Sequence, residues 1–249
     1  MFQYQLILLA LINISERKNK KMRIYTNWSE CYEETKRDLA EMGIDVFPKT
    51  MQDKVIEGNS DYATKELQNY SFCLLNVKSE NISGVVQPWA DEEFKERVDP
   101  SGSVNPGTAW ELRKDVWTEY MHDGKMAYSY NERLFINDQL NKIINRLKED
   151  RDSRQLWVSV WNPNEDPDKL GGISRVPCSL GYNFQFRDGK LNIHYVMRSC
   201  DFSTHFVNDI YLAAKLLEYV ADKVNIPVGN LVYTTFSLHV YRKDISGVF

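Results

Sequence analysis

The sequence predicts an α+β fold: one domain in which a large mixed or mainly antiparallel sheet is packed with helices. Three observations predict it. Strands outnumber helices in the second half of the chain and follow one another without a βαβ rhythm. Two segments, residues 134–150 and 208–224, carry apolar residues at helical spacing. The 249 residues are 43% hydrophobic, enough to bury a sizeable core, and no Pro/Gly-rich stretch is long enough to link two domains.

Taken in order, the chain begins with a short apolar run at residues 6–12, followed by Arg17, Lys18, Lys20 and Lys21. A secretory signal places its basic residues before the apolar run, and this run is too short to cross a bilayer. Residues 1–21 are therefore expected to be a leader or upstream extension, and residues 22–249 the folded domain. A strand is expected at residues 23–25, then a helix with Ser29 as its N-cap, running to Met42 and stopped by Gly43. Residues 66–75 suit strand or helix, and Tyr70, Phe72, Leu74 and Leu75 mark them as core. Residues 89–98 suit a short acidic helix carrying Glu92, Glu93 and Glu96. A Pro/Gly/Ser-rich loop at 100–107 leads on to Trp110 and Trp117.

The clearest helix is 134–150, with Ile136, Leu140, Ile143, Ile144 and Leu147 on one stripe. An apolar strand follows at 155–161. Residues 180–186 and 190–197 form a hairpin about Asp188-Gly189, a dipeptide that accepts the positive φ of a type I′ turn. A second strong helix spans 208–224, and a long strand closes the pattern at 231–241.

Composition narrows the function classes. The net charge of −4 argues against nonspecific nucleic-acid binding, which needs a basic surface. No segment has the length of a membrane span. Cys31, Cys73, Cys178 and Cys200 form no C-x-x-C pair and no zinc spacing, so reduced thiols in a cytoplasmic compartment are expected, with no disulfide framework and no metal.

Between Cys178 and Tyr241 the chain offers a thiol, an Arg198-Ser199 anion site, Asp201, an amide beside a carboxylate (Asn208-Asp209) and a His239-x-Tyr241 pair. Each has an ordinary reading as well. An isolated Cys is more often a small buried hydrophobe than a nucleophile. A strand-end Arg is usually a surface ion-pair former, and a strand His and Tyr are as often satisfied core residues. As a set they suit a phosphorylated, ring-shaped substrate: a guanidinium donates two parallel hydrogen bonds to phosphate, and His239 and Tyr241 point to the same face of their strand.

These residues also carry a resemblance. Asp152-Ser153-Arg154, Trp161-Asn162, Pro177-Cys178, Arg198-Ser199-x-Asp201 and His239-Val240-Tyr241 resemble the thymidylate synthase superfamily in order and spacing. The likeness is strong over residues 128–241 and weaker over 89–127. Met197-Arg198-Ser199, Asn208-Asp209 and the run from Ser237 to Tyr241 are most similar to the phage deoxycytidylate hydroxymethylases; the synthases carry Asn where this chain has Asp209. The resemblance implies Cys178 as a nucleophile adding to C6 of a pyrimidine, and Arg198 and Ser199 on the 5′-phosphate. It implies His239 and Tyr241 on the ribose hydroxyl, and Asn208-Asp209 at the base. It also places Asp201 and Trp117 beside 5,10-methylenetetrahydrofolate, and implies a homodimer in which Arg154 reaches the partner subunit's phosphate site. The general acid/base matches either Glu93 or Glu96, with spacing slightly favouring Glu96. Tyr128 falls in a looser match.

Two departures stand out. The position after Arg154, usually a second Arg in the family, is Gln155, which leaves the phosphate one cation fewer. Eight residues follow Tyr241, fewer than in the synthases, so closure over the folate is expected to be weaker, which suits a reaction that ends in water attack. The expected activity is folate-dependent C5 hydroxymethylation of dCMP. Methylation of dCMP, hydroxymethylation of dUMP and thymidylate synthesis are the alternatives on the same fold; a catalytically silent nucleotide-binding protein is the alternative without catalysis.

Overall fold

The computed structural model describes residues 22–101 and 104–249. The expected leader, residues 1–21, lies outside them.

The chain opens with β1 (Arg23–Tyr25) and α1 (Trp28–Met42). The helix starts ahead of the expected Ser29 cap, because Asn27 caps it: the Asn27 side chain accepts from Glu30 N at 2.8 Å and donates to the Glu30 carboxylate at 3.2 Å. Gly43 ends it as expected, at a φ of −62° open to any residue. Lack of room selects glycine here, since a Cβ would press on the Leu39 carbonyl at 2.5 Å and on the Lys65 side chain. Next come β2 (Ile44–Val46), a small ribbon of β3 (Thr50–Met51) and β4 (Lys54–Val55), and the long β5 (Thr64–Leu74), which settles the ambiguous stretch as strand. The acidic helix is α2 (Trp89–Arg97), followed by the short α3 (Lys114–Trp117) and the ribbon of β6 (Met121–His122) and β7 (Lys125–Met126).

The helix expected at 134–150 is broken. It comprises α4 (Tyr130–Phe135) and α5 (Gln139–Glu149), joined by a 3-10 turn over Ile136–Asp138. Asn137 and Asp138 take φ values of 53° and 58°, a left-handed conformation that their short polar side chains tolerate. The break exposes Ile136, while Leu140, Ile143, Ile144 and Leu147 stay buried on the stripe. It also frees Gln139 to bridge the backbone of Ser159, accepting from its N–H at 2.9 Å and donating to its carbonyl at 2.7 Å.

The strand expected at 155–161 is only β8 (Trp157–Ser159). The hairpin is β9 (Ser179–Arg187) and β10 (Lys190–Met197), turning at Asp188 and Gly189 with φ of 52° and 75°. Then come β11 (Cys200–Asp201), α6 (Phe206–Val224), β12 (Val228–Tyr241) and a closing turn, α7 (Ile245–Val248).

The main sheet has eight strands in the order β1-β5-β12-β10-β9-β8, with β2 beside β5 and β11 beside β12. It is mixed: β12 runs parallel to β10 and β11 and antiparallel to β5. Alternation on β10 and β12 buries Leu191, Ile193, Tyr195, Met197, Leu231, Tyr233 and Thr235 under α6. The face beneath the helices is aromatic: Tyr182 stacks on Tyr195 at 4.7 Å, and Phe206 of α6 meets Phe72 and Tyr233 edge-on. Truncating Phe206 there removes roughly 3–5 kcal/mol. The opposite face carries Val232, Thr234, His194 and Val196 partly open, and Phe236 and Trp157 exposed.

Strand direction positions the site. β9 begins where β10 ends, and β10, β11 and β12 all finish at that same end of the sheet. Small-molecule sites recur outside the carboxyl ends of strands.

Candidate active site

A one-residue register shift between Val196 and Met197 sets the hairpin so that Arg198 N–H donates to the Cys178 carbonyl at 2.8 Å. The 20-residue gap between these two residues is therefore the length of one hairpin. Across the sheet Ser237 N–H donates to the Arg198 carbonyl at 3.2 Å, and Asp201 pairs in register with His239. Around this end lies a cavity of about 620 Å³, within the usual range of roughly 300–1,000 Å³ for small-molecule sites. It is lined by Cys178, Glu93, Glu96, Arg198, Ser199, Asp201, Asn208, Asp209, His239, Tyr241 and Trp117. Sequence reasoning named all of these.

Cys178 is half-buried, whereas the other three cysteines are buried; all four are free thiols. Arg198 Nη2 approaches its sulfur at 3.7 Å, and the same guanidinium is fixed by the carbonyls of Pro177 (Nε, 2.8 Å) and Val176 (Nη2, 3.2 Å). The fixed guanidinium thus sets a positive charge directly beside the sulfur. Gln52, which sequence reasoning missed, donates from Nε2 to the Cys178 sulfur at 3.5 Å and accepts from Val176 N–H at 3.2 Å. It sits at the turn of the β3–β4 ribbon with φ 53°.

His239 is buried, and burial lowers its pKa, so it is neutral near pH 7. Its tautomer follows from its neighbours. Ser237 Oγ donates its one proton to Glu66 at 2.6 Å, so the 3.3 Å contact between His239 Nδ1 and Ser237 Oγ must be made with the histidine proton. Nε2 is then a hydrogen-bond acceptor. Tyr241 packs edge-on to His239 at 5.1 Å, and burial holds its hydroxyl protonated.

Burial pushes the Asp209 carboxyl up to about 7, against the pull of Arg97, a hydrogen bond from Cys200 Sγ at 3.7 Å and Arg113. Its neighbour Asn208 is committed to the backbone, accepting from Val86 N–H at 2.9 Å and donating to the Thr204 carbonyl at 3.3 Å. The two acidic candidates on α2 differ. Glu93 is paired with Arg97 Nε at 2.8 Å, and that guanidinium lies over the Tyr130 ring at 3.7 Å. Glu96 accepts from Ala109 N–H at 2.8 Å and Thr108 Oγ1 at 3.1 Å, yet burial raises its carboxyl above the usual range. Gly107 lies so close to the Glu96 carboxylate that any Cβ there would displace it.

Trp117 stacks on His205 at 5.3 Å with 21° between the rings, and burial drives the His205 pKa down to about 4. Asp201 accepts from the Ser203 N–H and hydroxyl through Oδ1. Arg154 is exposed and does not line the cavity of its own chain. Among the described residues no cluster of His, Cys, Asp and Glu is arranged to hold a metal, and no helix is long and apolar enough to cross a membrane.

A thiol beside a fixed arginine, a neutral histidine acceptor and two carboxyls raised by burial line one cavity of small-molecule size. The chain belongs to the thymidylate synthase family, whose model, described as "Thymidylate synthase", matches residues 59–248. It is similar to proteins named "Putative thymidylate synthase" from three organisms. With that of Methanosarcina barkeri it is 32% identical over 146 residues, 55% of this chain and 65% of the relative. With that of Methanosarcina acetivorans it is 33% identical over the same shares. With that of Methanococcoides burtonii it is 30% identical over 153 residues, 58% of this chain and 69% of the relative. The chain thus matches slightly under two thirds of the length of the Methanosarcina proteins.

Proposed function

We propose that the protein is a folate-dependent one-carbon transferase acting at C5 of a pyrimidine 5′-monophosphate, with dCMP as substrate and 5-hydroxymethyl-dCMP as product. The observation that carries the cytosine reading is Asp209, a cavity carboxyl that burial raises to about 7. A protonated carboxyl donates to N3 of cytosine while its other oxygen accepts from the N4 amino group, and the ionised form still accepts from N4 but repels O4 of uracil.

The cavity suits the second substrate as well as the first. Trp117, Tyr120 and Trp110 give flat apolar lining, and Trp110 Nε1 is a buried donor without a partner. Trp117 and Asp201 are the groups we assign to 5,10-methylenetetrahydrofolate, which when bound supplies the one-carbon unit as an electrophile.

The residues of the chain do the rest. Arg198 and Ser199 hold the phosphate, and His239 Nε2 and Tyr241 hold the ribose hydroxyl. The Cys178 thiolate adds to C6, which makes C5 nucleophilic. Glu96, with its raised pKa, exchanges protons with the base and the departing amine, while Glu93 holds Arg97 in place. C5 takes up the one-carbon unit; once the C5 proton is lost and the tetrahydrofolate amine departs, the pyrimidine carries an exocyclic methylene, to which water adds as hydroxide while the Cys178 sulfur leaves C6. Arg154, remote from its own cavity, acts on the phosphate of a partner subunit, with the open sheet face around Trp157 and Phe236 as the homodimer contact. The likeness of Asn208-Asp209 and of the Ser237-to-Tyr241 run to the hydroxymethylases supports water over hydride.

Incubating the protein with dCMP, dUMP or CMP plus methylenetetrahydrofolate tests this reading. dCMP is expected to be consumed fastest, by roughly 5- to 150-fold over dUMP. Turnover of dUMP ahead of dCMP would overturn the cytosine assignment, and no turnover of any of the three would overturn the transferase reading.

A further inference from the structure

Arg175 stands three residues before the nucleophile, lines the same cavity and has no role in the chemistry above. Its guanidinium is enclosed by rings, 4.6 Å from Tyr120, 4.7 Å from Trp117 and 5.8 Å from Tyr128. Nε is buried without a hydrogen-bond partner, and the two terminal nitrogens make no hydrogen bond to any described residue. The residue lines the cavity, and its terminal nitrogens, unlike Nε, are not among the buried unpartnered atoms.

The other basic residues of the cavity are mostly accounted for. Lys54 pairs with Glu119 at 2.7 Å, Arg97 with Glu93 at 2.8 Å and Lys169 with Glu165 at 3.7 Å. Arg198, assigned above to the phosphate, spends Nε and Nη2 on two carbonyls. Lys243, at the rim, is exposed to solvent. Arg175 alone combines partial burial with neither a carboxylate nor a carbonyl partner among the described residues. Aromatic faces offset part of the cost of desolvating a cation, but they leave its N–H donors unused. A guanidinium with free donors suits an oxyanion, which it meets with two parallel hydrogen bonds.

We propose that Arg175 is a second oxyanion-binding group of the cavity, taking a phosphate or carboxylate carried by a ligand. The assignment of that oxyanion to the nucleotide or to the folate rests on the function proposed above; the existence of the anion site does not.

The test uses Cys178 as a reporter, since the other thiols are buried. Inorganic phosphate is expected to slow alkylation of Cys178 by iodoacetamide in the wild type. Arg175→Gln and Arg175→Met should need about 10- to 100-fold more phosphate for the same protection, and Arg175→Lys should fall between. Titration with dCMP against deoxycytidine, and with tetrahydrofolate against 6-methyltetrahydropterin, then locates the source. A loss in Arg175→Gln confined to dCMP assigns the nucleotide phosphate; one confined to tetrahydrofolate assigns its carboxylates. Phosphate protection dependent on Arg175 in a protein that binds neither dCMP nor tetrahydrofolate would keep the anion site and overturn the nucleotide reading. Equal protection and affinity in wild type and Arg175→Gln, or an equal loss for the neutral fragments, would overturn the inference and leave Arg175 as aromatic packing.

Discussion

Cys178→Ala is expected to lower turnover by about 10⁴-fold or more, because the cavity's other thiol, Cys200, is buried and turned onto Asp209. The structure makes this specific to one thiol: Cys178 alone is partly exposed, with Arg198 and Gln52 directed at its sulfur. A 5-fluoropyrimidine nucleotide with methylenetetrahydrofolate should leave a stable adduct on the wild-type protein, since fluorine cannot leave C5 as a proton does. Mass analysis should find no adduct in Cys178→Ala and a full one in Cys73→Ala. An adduct persisting in Cys178→Ala would move the nucleophile elsewhere.

Asp209→Asn is expected to move preference from dCMP towards dUMP by about 5- to 150-fold, equivalent to roughly 1–3 kcal/mol for relieving two acceptors forced to face each other. The ionised carboxylate repels the O4 acceptor of uracil, whereas a protonated carboxyl or an amide donates to it. Because burial raises Asp209 from an ordinary 3.8 to about 7, wild-type use of dUMP should fall as pH rises through about 7. The asparagine variant should lack that step. Stability follows the same titration. The native state keeps its proton between those two values while the unfolded state loses it, so the contribution is present below 3.8 and lost as pH rises through about 7. A wild type that shows no change in dCMP-to-dUMP ratio across this window, with an unshifted Asp209→Asn, would remove Asp209 from base recognition.

Much of the site was legible because its residues are spaced by one hairpin and one crossover. Asp188-Gly189 announced the turn, and the 20 residues from Cys178 to Arg198 are two strands and that turn. The misses have a common cause in contacts that leave no local pattern. Gln52 reaches Cys178 across 126 residues from a two-residue ribbon turn with no periodic apolar signal. Glu66 meets Ser237 only because β5 pairs antiparallel with β12, and residues 66–75 suited helix as well as strand until that pairing was known. Arg175 carries no signal of its own in the sequence, because its enclosure by Trp117, Tyr120 and Tyr128 depends on the loops that bring separate segments together. The kink at Asn137 and Asp138 was hidden because the apolar stripe continues through it; only the Asn-Asp pair, tolerant of left-handed backbone, hinted at the break.

What is added to C5 separates a hydroxymethylase from a methylase, and one experiment reads it most directly: dihydrofolate absorbance followed during turnover of dCMP, with the mass of the nucleotide product from the same reaction. Hydride transfer requires the folate to be held against the ring in a closed, dry site, whereas water attack does not. The predicted result is a product heavier than dCMP by one hydroxymethyl group in place of hydrogen, with no rise in dihydrofolate. A methylated nucleotide formed in step with dihydrofolate would contradict it.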